Sequence, residues 1–194
     1  MGEIMKNKSF DLAYIAIAAA LISICSWITI PLPSGIPVTL QTFGVCTAAG
    51  ILGFKRGTAA TAVYIVLGLI GMPVYSAFRS GPATLFGNTG GYIIGFIFTA
   101  MITGIASDFL DKEGVKYKKE RFPLFMAMCS GVLICYAFGT LWFATVWAKS
   151  GDAVAISTIL GWCVLPYIIP DIIKLILAVF ISLPVKRFIK KYTF

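Results

Sequence analysis

Between Arg56 and Asp108 the chain carries a single charged residue, Arg79. Residues 12–30 and 122–148 carry none, and residues 153–184 carry two, Asp171 and Lys174. A bilayer core takes about 20 residues of helix to cross, so uncharged runs of this length read as membrane spans. Composition agrees. The chain is 59% hydrophobic and 12% charged, with a mean hydropathy of +0.92, against about 45–50% apolar and about 25% charged residues in soluble domains. Six spans use roughly 120 residues, which leaves too little of the 194 for a separate soluble domain. The expectation is an all-α integral membrane protein, one domain over 1–194 with six transmembrane helices.

Helix 1 is read over 12–30. Its apolar core is longer than that of a signal peptide, and no clear cleavage site follows. The prolines and glycine of 31–35 end it. Helix 2 runs from 37–42 to about residue 54, Lys55-Arg56-Gly57 makes a tight turn, and helix 3 runs over 58–71. Both look short, since about 14 residues reach only about 21 Å against a hydrocarbon core of about 30 Å. Pro73, Gly81, Pro82 and Gly87 break the 72–88 segment. Helix 4 occupies 89–106 and helix 5 occupies 122–148, with Trp142, Phe143 and Trp147 placed as interfacial aromatics. Helix 6 runs over 153–184 and should be loosened or kinked at Pro166 and Pro170.

Six spans put both termini on one side. That side collects thirteen basic residues: Lys6 and Lys8, Lys55 and Arg56, five between Lys112 and Arg121, and four after Pro184. The other side has Arg79 and Lys149. Such a bias places the termini in the cytoplasm, and it explains the net charge of +8 without nucleic acid. The irregular 31–38 and 72–88 segments then fall outside, beside the two short helices. Irregular backbone at membrane depth needs burial in protein or a wet cavity beside it. An outward-facing ligand cavity with loops as its wall is one reading, and ordinary surface loops are the other.

Asp171 and Lys174 lie three residues apart, on one helix face. Each alone at mid-bilayer costs about 2.5–3.5 kcal/mol, so such ions face a bundle interior or a hollow. They form either a polar floor for a ligand or a pair that holds helices together. Gln41, Thr42, Arg79, Asn88 and Thr89 can converge on them from the same side. Gly87, Gly91 and Gly95 repeat every four residues, as a close-packing face or a surface for ligand approach. Asn88 and Thr89 can also cap helix 4. Residues 16–20 form a small-residue stripe suited to helix–helix contact.

Several chemistries are removed or demoted. There is no P-loop, and without histidine there is no Ser-His or Cys-His nucleophile pair. The five cysteines lack metal-ligand spacing, and no carboxylate cluster suits a hard cation. Binding or transport fits better than catalysis. A proton-coupled transporter using Asp171 and a membrane enzyme acting on a lipid substrate remain as rivals.

Four stretches carry a resemblance: Pro37-Val38-Thr39-Leu40-Gln41-Thr42-Phe43-Gly44, Gly68-Leu69-Ile70-Gly71-Met72-Pro73-Val74, Asn88-Thr89-Gly90-Gly91-Tyr92-Ile93-Ile94-Gly95-Phe96 and Pro170-Asp171-Ile172-Ile173-Lys174. In this order the chain resembles the BioY family, the biotin-specific substrate-capture (S) components of energy-coupling factor (ECF) transporters in prokaryotic cytoplasmic membranes. The resemblance implies biotin as transported ligand, no cofactor, and a transmembrane coupling subunit with two ATPase subunits as partners. An Ala-x-x-x-Ala stripe that docks on the coupling subunit is matched by Ala16 and Ala20. For ligand binding it points to Gln41, Arg79, Asn88, Thr89, Gly90, Tyr92, Asp171 and Lys174. Asp171 and Asn88, with Gln41 nearby, would serve the ureido ring. Lys174 or Arg79 would meet the carboxylate, and Tyr92 would cover ring and chain.

Overall fold

In the computed structural model, the described residues are 2–32, 36–112, 117–148 and 156–193. Helix α1 (Gly2–Trp27) buries Ala18, Ala19, Ile22, Cys25 and Ser26, while Leu12, Ile17 and Ile24 stay exposed. A two-residue antiparallel ribbon follows, β1 (Thr29–Ile30) against β2 (Val38–Thr39), with Thr29 opposite Thr39. It folds the proline-rich arm back over the helices and is the one departure from an all-helical chain among the described residues.

Helix α2 (Gln41–Leu69) is a hairpin of two short arms, 41–52 and 54–69, reversed at Gly53, which has φ 75° and ψ −170°. The turn expected at Lys55-Arg56-Gly57 therefore lies at Gly53, and those three residues open the second arm. The reason is local. Only glycine takes a positive φ without steric cost, whereas Gly57 is needed for close approach: a Cβ there would sit 2.6 Å from the Ala49 Cα. Asp108 Oδ2 accepts from the Phe54 N–H at 2.9 Å, supplying the acceptor that a new helix start lacks.

A single turn, α3 (Pro82–Leu85), leads to α4 (Gly90–Lys112), which packs along α5 (Tyr117–Ala148). The sixth expected helix arrives in two pieces, α6 (Ile156–Cys163) and α7 (Leu165–Thr193). The break falls at Val164 rather than as a kink at Pro166 or Pro170. Pro166 becomes the second residue of α7, where its missing N–H costs nothing. The helix also runs past Pro184 instead of ending there. Taking the arms of α2 apart and α6–α7 together, and setting aside single turns such as α3, the described residues form six helical bodies. Among the described residues, four helices are long and apolar enough to cross a membrane: Ser9–Trp27, Gly90–Asp111, Lys119–Ala148 and Thr158–Lys191. The arms of α2 are not among them, as their shortness predicts.

Along α7, Asp171, Lys174, Leu175, Ala178, Val179, Ser182 and Leu183 are buried. Ile172, Ile173, Ile176, Leu177, Phe180 and Ile181 are exposed. That is helical spacing, with the polar groups Asp171, Lys174 and Ser182 on the buried face beside apolar core residues and an outer face that is wholly apolar, where a soluble helix would be polar. The interior divides into an α1–α2–α4 core around Ile22, Tyr64 and Phe96 and an α5–α7 core around Leu124, Met128 and Val179. A smaller cluster of Ile36, Phe143, Ile159 and Tyr167 closes one end.

At the other end, basic segments meet acids. Arg56 pairs with Asp11 at 2.6 Å, Arg187 with Glu120 at 2.6 Å, and Lys190 with Asp111 at 3.1 Å. The hinge of α2 and the described ends of α1, α4, α5 and α7 that the charge count assigned to one side thus share one end of the molecule.

Candidate functional site

A cavity with an empty volume of about 640 Å³ lies between the cores, below the 36–39 arm and the start of α4. Helix α7 contributes its floor. Asp171 and Lys174 have side chains only 7% exposed, and Lys174 Nζ donates to Asp171 Oδ1 at 2.6 Å. From α5, the Tyr136 hydroxyl donates to Asp171 Oδ2. Both carboxylate oxygens are therefore fixed, with acceptor capacity left on each. Among the described residues Lys174 donates to Asp171 alone, so the ammonium keeps N–H groups for a guest.

The walls come from both arms of sequence that flank the short helices. Gln41 starts α2; its Oε1 accepts from Thr39 at 3.0 Å and its Nε2 donates to the Tyr64 hydroxyl at 2.5 Å. Its second amide N–H remains. Thr89 and Tyr92 stand at the start of α4, and the Tyr92 hydroxyl is hydrogen-bonded to Thr140 at 3.0 Å. Gly139 makes room for the Tyr92 ring, since a Cβ there would lie 2.3 Å from it. Phe96 adds apolar wall, and Tyr167 donates to the Ile36 carbonyl, tying the arm across α7. The result is a slot with one neutralised ion pair, several neutral donors and acceptors, and aromatic sides. It suits a small guest with a compact polar head and apolar flanks.

Five of the eight residues named for ligand binding line this cavity: Gln41, Thr89, Tyr92, Asp171 and Lys174. Three do not. The Arg79 side chain is exposed, and its carbonyl closes the loop by accepting from the Tyr75 N–H at 3.0 Å. Asn88 is half-buried away from the lining. Gly90 is buried in the α3–α4 corner, where a Cβ would lie 1.6 Å from the Leu85 carbonyl oxygen. The glycine period also resolves toward packing: a Cβ on Gly91 would lie 2.3 Å from Trp142, and one on Gly95 would lie 2.8 Å from the Cys135 sulfur. Ala16 and Ala20 are exposed on α1.

Sequence reasoning missed Tyr136. The signal was present, since it is the only tyrosine in the uncharged 122–148 run and a hydroxyl at mid-span needs a partner.

Comparison with known families matches residues 3–191 to the BioY family. The chain is 36% identical over 172 residues to the biotin transporter BioY of Thermotoga maritima, covering 88% of this chain and 92% of that protein. It is 34% identical to the probable biotin transporter BioY of Pyrococcus horikoshii, covering 90% and 95%. Among solved structures it is similar to the S-component for biotin from an ECF-type ABC transporter. That match has a TM-score of 0.76 and 30% identity, covering 94% of this chain and 93% of that one.

Proposed function

This chain belongs to the BioY family, and from that membership we propose that it captures biotin in the cavity above the Asp171–Lys174 pair. It is a biotin transporter, the S-component of an ECF-type ABC transporter, and not an enzyme. One observation carries the site assignment: the two buried ions of the sixth span line a hollow, while their neighbours Ile172 and Ile173 are exposed on the outside of the helix.

Biotin has a neutral ureido ring at one end and a carboxylate at the other, with an apolar ring and chain between. Asp171 and Lys174 touch each other, so they reach the same end of such a ligand. A paired acid and base carry no net charge and offer one acceptor beside one donor. That matches the ureido N–H and C=O better than a carboxylate. The amide of Gln41 and the hydroxyl of Thr89 supply further polar contacts, and Tyr92 with Phe96 covers the apolar part. The carboxylate then points to the mouth, where the exposed Arg79 loop stands. Lys174→Ala tests this assignment. Biotin and its carboxamide should lose affinity together, by tenfold or more, since a charge-assisted hydrogen bond contributes about 1.5–3 kcal/mol. A loss confined to the free acid would move Lys174 to the carboxylate.

Sidedness follows from the basic residues gathered at the α7 end, which supports cytoplasmic termini in a prokaryotic cytoplasmic membrane and a cavity open to the outside. A transmembrane coupling subunit and two ATPase subunits supply the drive. Ala16 and Ala20, exposed and small, form the contact with the coupling subunit. Tryptophan at both positions should abolish uptake and leave biotin binding intact; loss of binding as well would return the stripe to a folding role.

A further inference from the structure

Behind the ion pair lies a second hollow. It has an empty volume of about 570 Å³ and sits between α5 and α7, lined by Cys129, Leu133, Ile168, Ile172 and Leu175. Leu133 is 64% exposed and Ile172 43%, on two helices that are each long and apolar enough to cross a membrane. This cleft therefore faces the hydrocarbon of the bilayer. Val132, Tyr136 and Asp171 line both the cleft and the ligand cavity. A single layer of side chains separates the guest from lipid, and Asp171 belongs to that layer.

We propose that Tyr136 is the partition between the ligand cavity and the bilayer, and the positioning residue that aims Asp171 at the guest. The ring and the hydroxyl do separate jobs. A phenol presents an apolar body to hydrocarbon while its O–H reaches a polar partner. Here that partner is Asp171 Oδ2, on the opposite side of the carboxylate from Lys174. Held from both sides, the carboxylate keeps its remaining lone pairs on the cavity. Without the phenol, Lys174 alone among the described residues holds it. Without the ring, acyl chains enter beside the ion pair, which raises the cost of holding the charges there.

The inference rests on the biotin reading, and two substitutions separate the two jobs. Tyr136→Phe keeps the wall and removes the donor; its biotin dissociation constant should rise about tenfold. Tyr136→Ala removes both, and Tyr136→Leu replaces it should that variant not remain monodisperse. The wall is read through Cys135 and Cys163, which are buried and line the ligand cavity. In a Cys129→Ser background without biotin in liposomes, a bilayer-dissolved maleimide should label them at least about ten times faster in the Ala or Leu variant than with Tyr136 or Phe. Sites are mapped by mass spectrometry. Parental affinity in Tyr136→Phe overturns the positioning role, and unchanged labelling in the Ala or Leu variant overturns the partition. Failure of the parental chain to bind biotin would instead sink the functional reading, while the labelling arm still decides the wall.

Discussion

Two ionic clusters on helix α7, around Lys174 and around Lys186, behave in opposite ways. At the cavity, Asp171 and Lys174 meet each other and Tyr136, and both retain hydrogen-bonding capacity toward an empty volume. Near its other end, Lys186 Nζ donates to the Ser107 carbonyl at 3.0 Å and to its hydroxyl at 2.8 Å, with Asp108 and Asp111 each 3.8 Å away. Ser107 Oγ passes the connection on to the Gly50 carbonyl at 2.7 Å. Asp108 holds the Phe54 N–H, so the cluster braces the Gly53 reversal from two sides. A Cβ on Gly53 would fall 2.0 Å from Asp108 Oδ1. The contrast teaches how to tell binding from bracing. A bracing group closes on other protein atoms, whereas a binding group is held in place with valences left over beside a void.

Substitutions can break this contrast. Asp171→Ala should have the largest effect, because it strands the Lys174 ammonium in a buried site. Breaking a buried pair from one side costs about 3–5 kcal/mol. Equilibrium binding of labelled biotin in detergent should be lost; near-normal binding would make the pair a brace too. Lys186→Met should give the converse, a stability loss of about 1.5–3 kcal/mol from its charge-assisted hydrogen bonds. It should lower the thermal midpoint and leave biotin affinity within about threefold of parental.

The smallest change expected is at Trp27, on neither cluster. Its ring stacks on Phe78 at 5.0 Å and its indole N–H donates to the Pro73 carbonyl at 2.9 Å, while Ser26 donates to the Val74 carbonyl. These contacts strap the 72–81 loop to α1, and Ser76 of that loop lines the cavity. Trp27→Ala should loosen the strap by about 1 kcal/mol and speed biotin dissociation about fivefold in a stopped-flow chase. An unchanged rate would remove the loop from the exit path.

Much of the site was legible because membrane burial makes ions expensive. Asp171 and Lys174 had to share an inward face, and the short helices beside irregular loops had to leave room near them. Gln41, Thr42 and Thr89 followed as the polar residues at the helix starts around that room, and Tyr92 came with the family resemblance. Arg79, Asn88 and Gly90 did not, because a loop residue's distance from the cavity depends on how the chain turns between Gly71 and Gly90. Gly71 and Gly81 both adopt positive φ there, as do Ala77 and Phe78. The Gly53 reversal was hidden among neighbouring glycines, since Gly53 and Gly57 look alike until one is seen turning and the other packing. Val164 was equally silent: proline marks that a helix changes nearby, and packing chooses which peptide takes the change.

By itself, the sequence determined the solvent of this protein, its helical class, the gathering of its basic segments at one end, and the inward face of the sixth helix. Each follows from the cost of placing charge or unpaired backbone in hydrocarbon, which depends on residue type and spacing. Tertiary structure alone decided that the hollow forms above Asp171 and that the Lys186 cluster closes on itself. It also decided that Tyr136 stands between guest and lipid. These depend on where separate helices meet, and no local spacing along the chain encodes that distance.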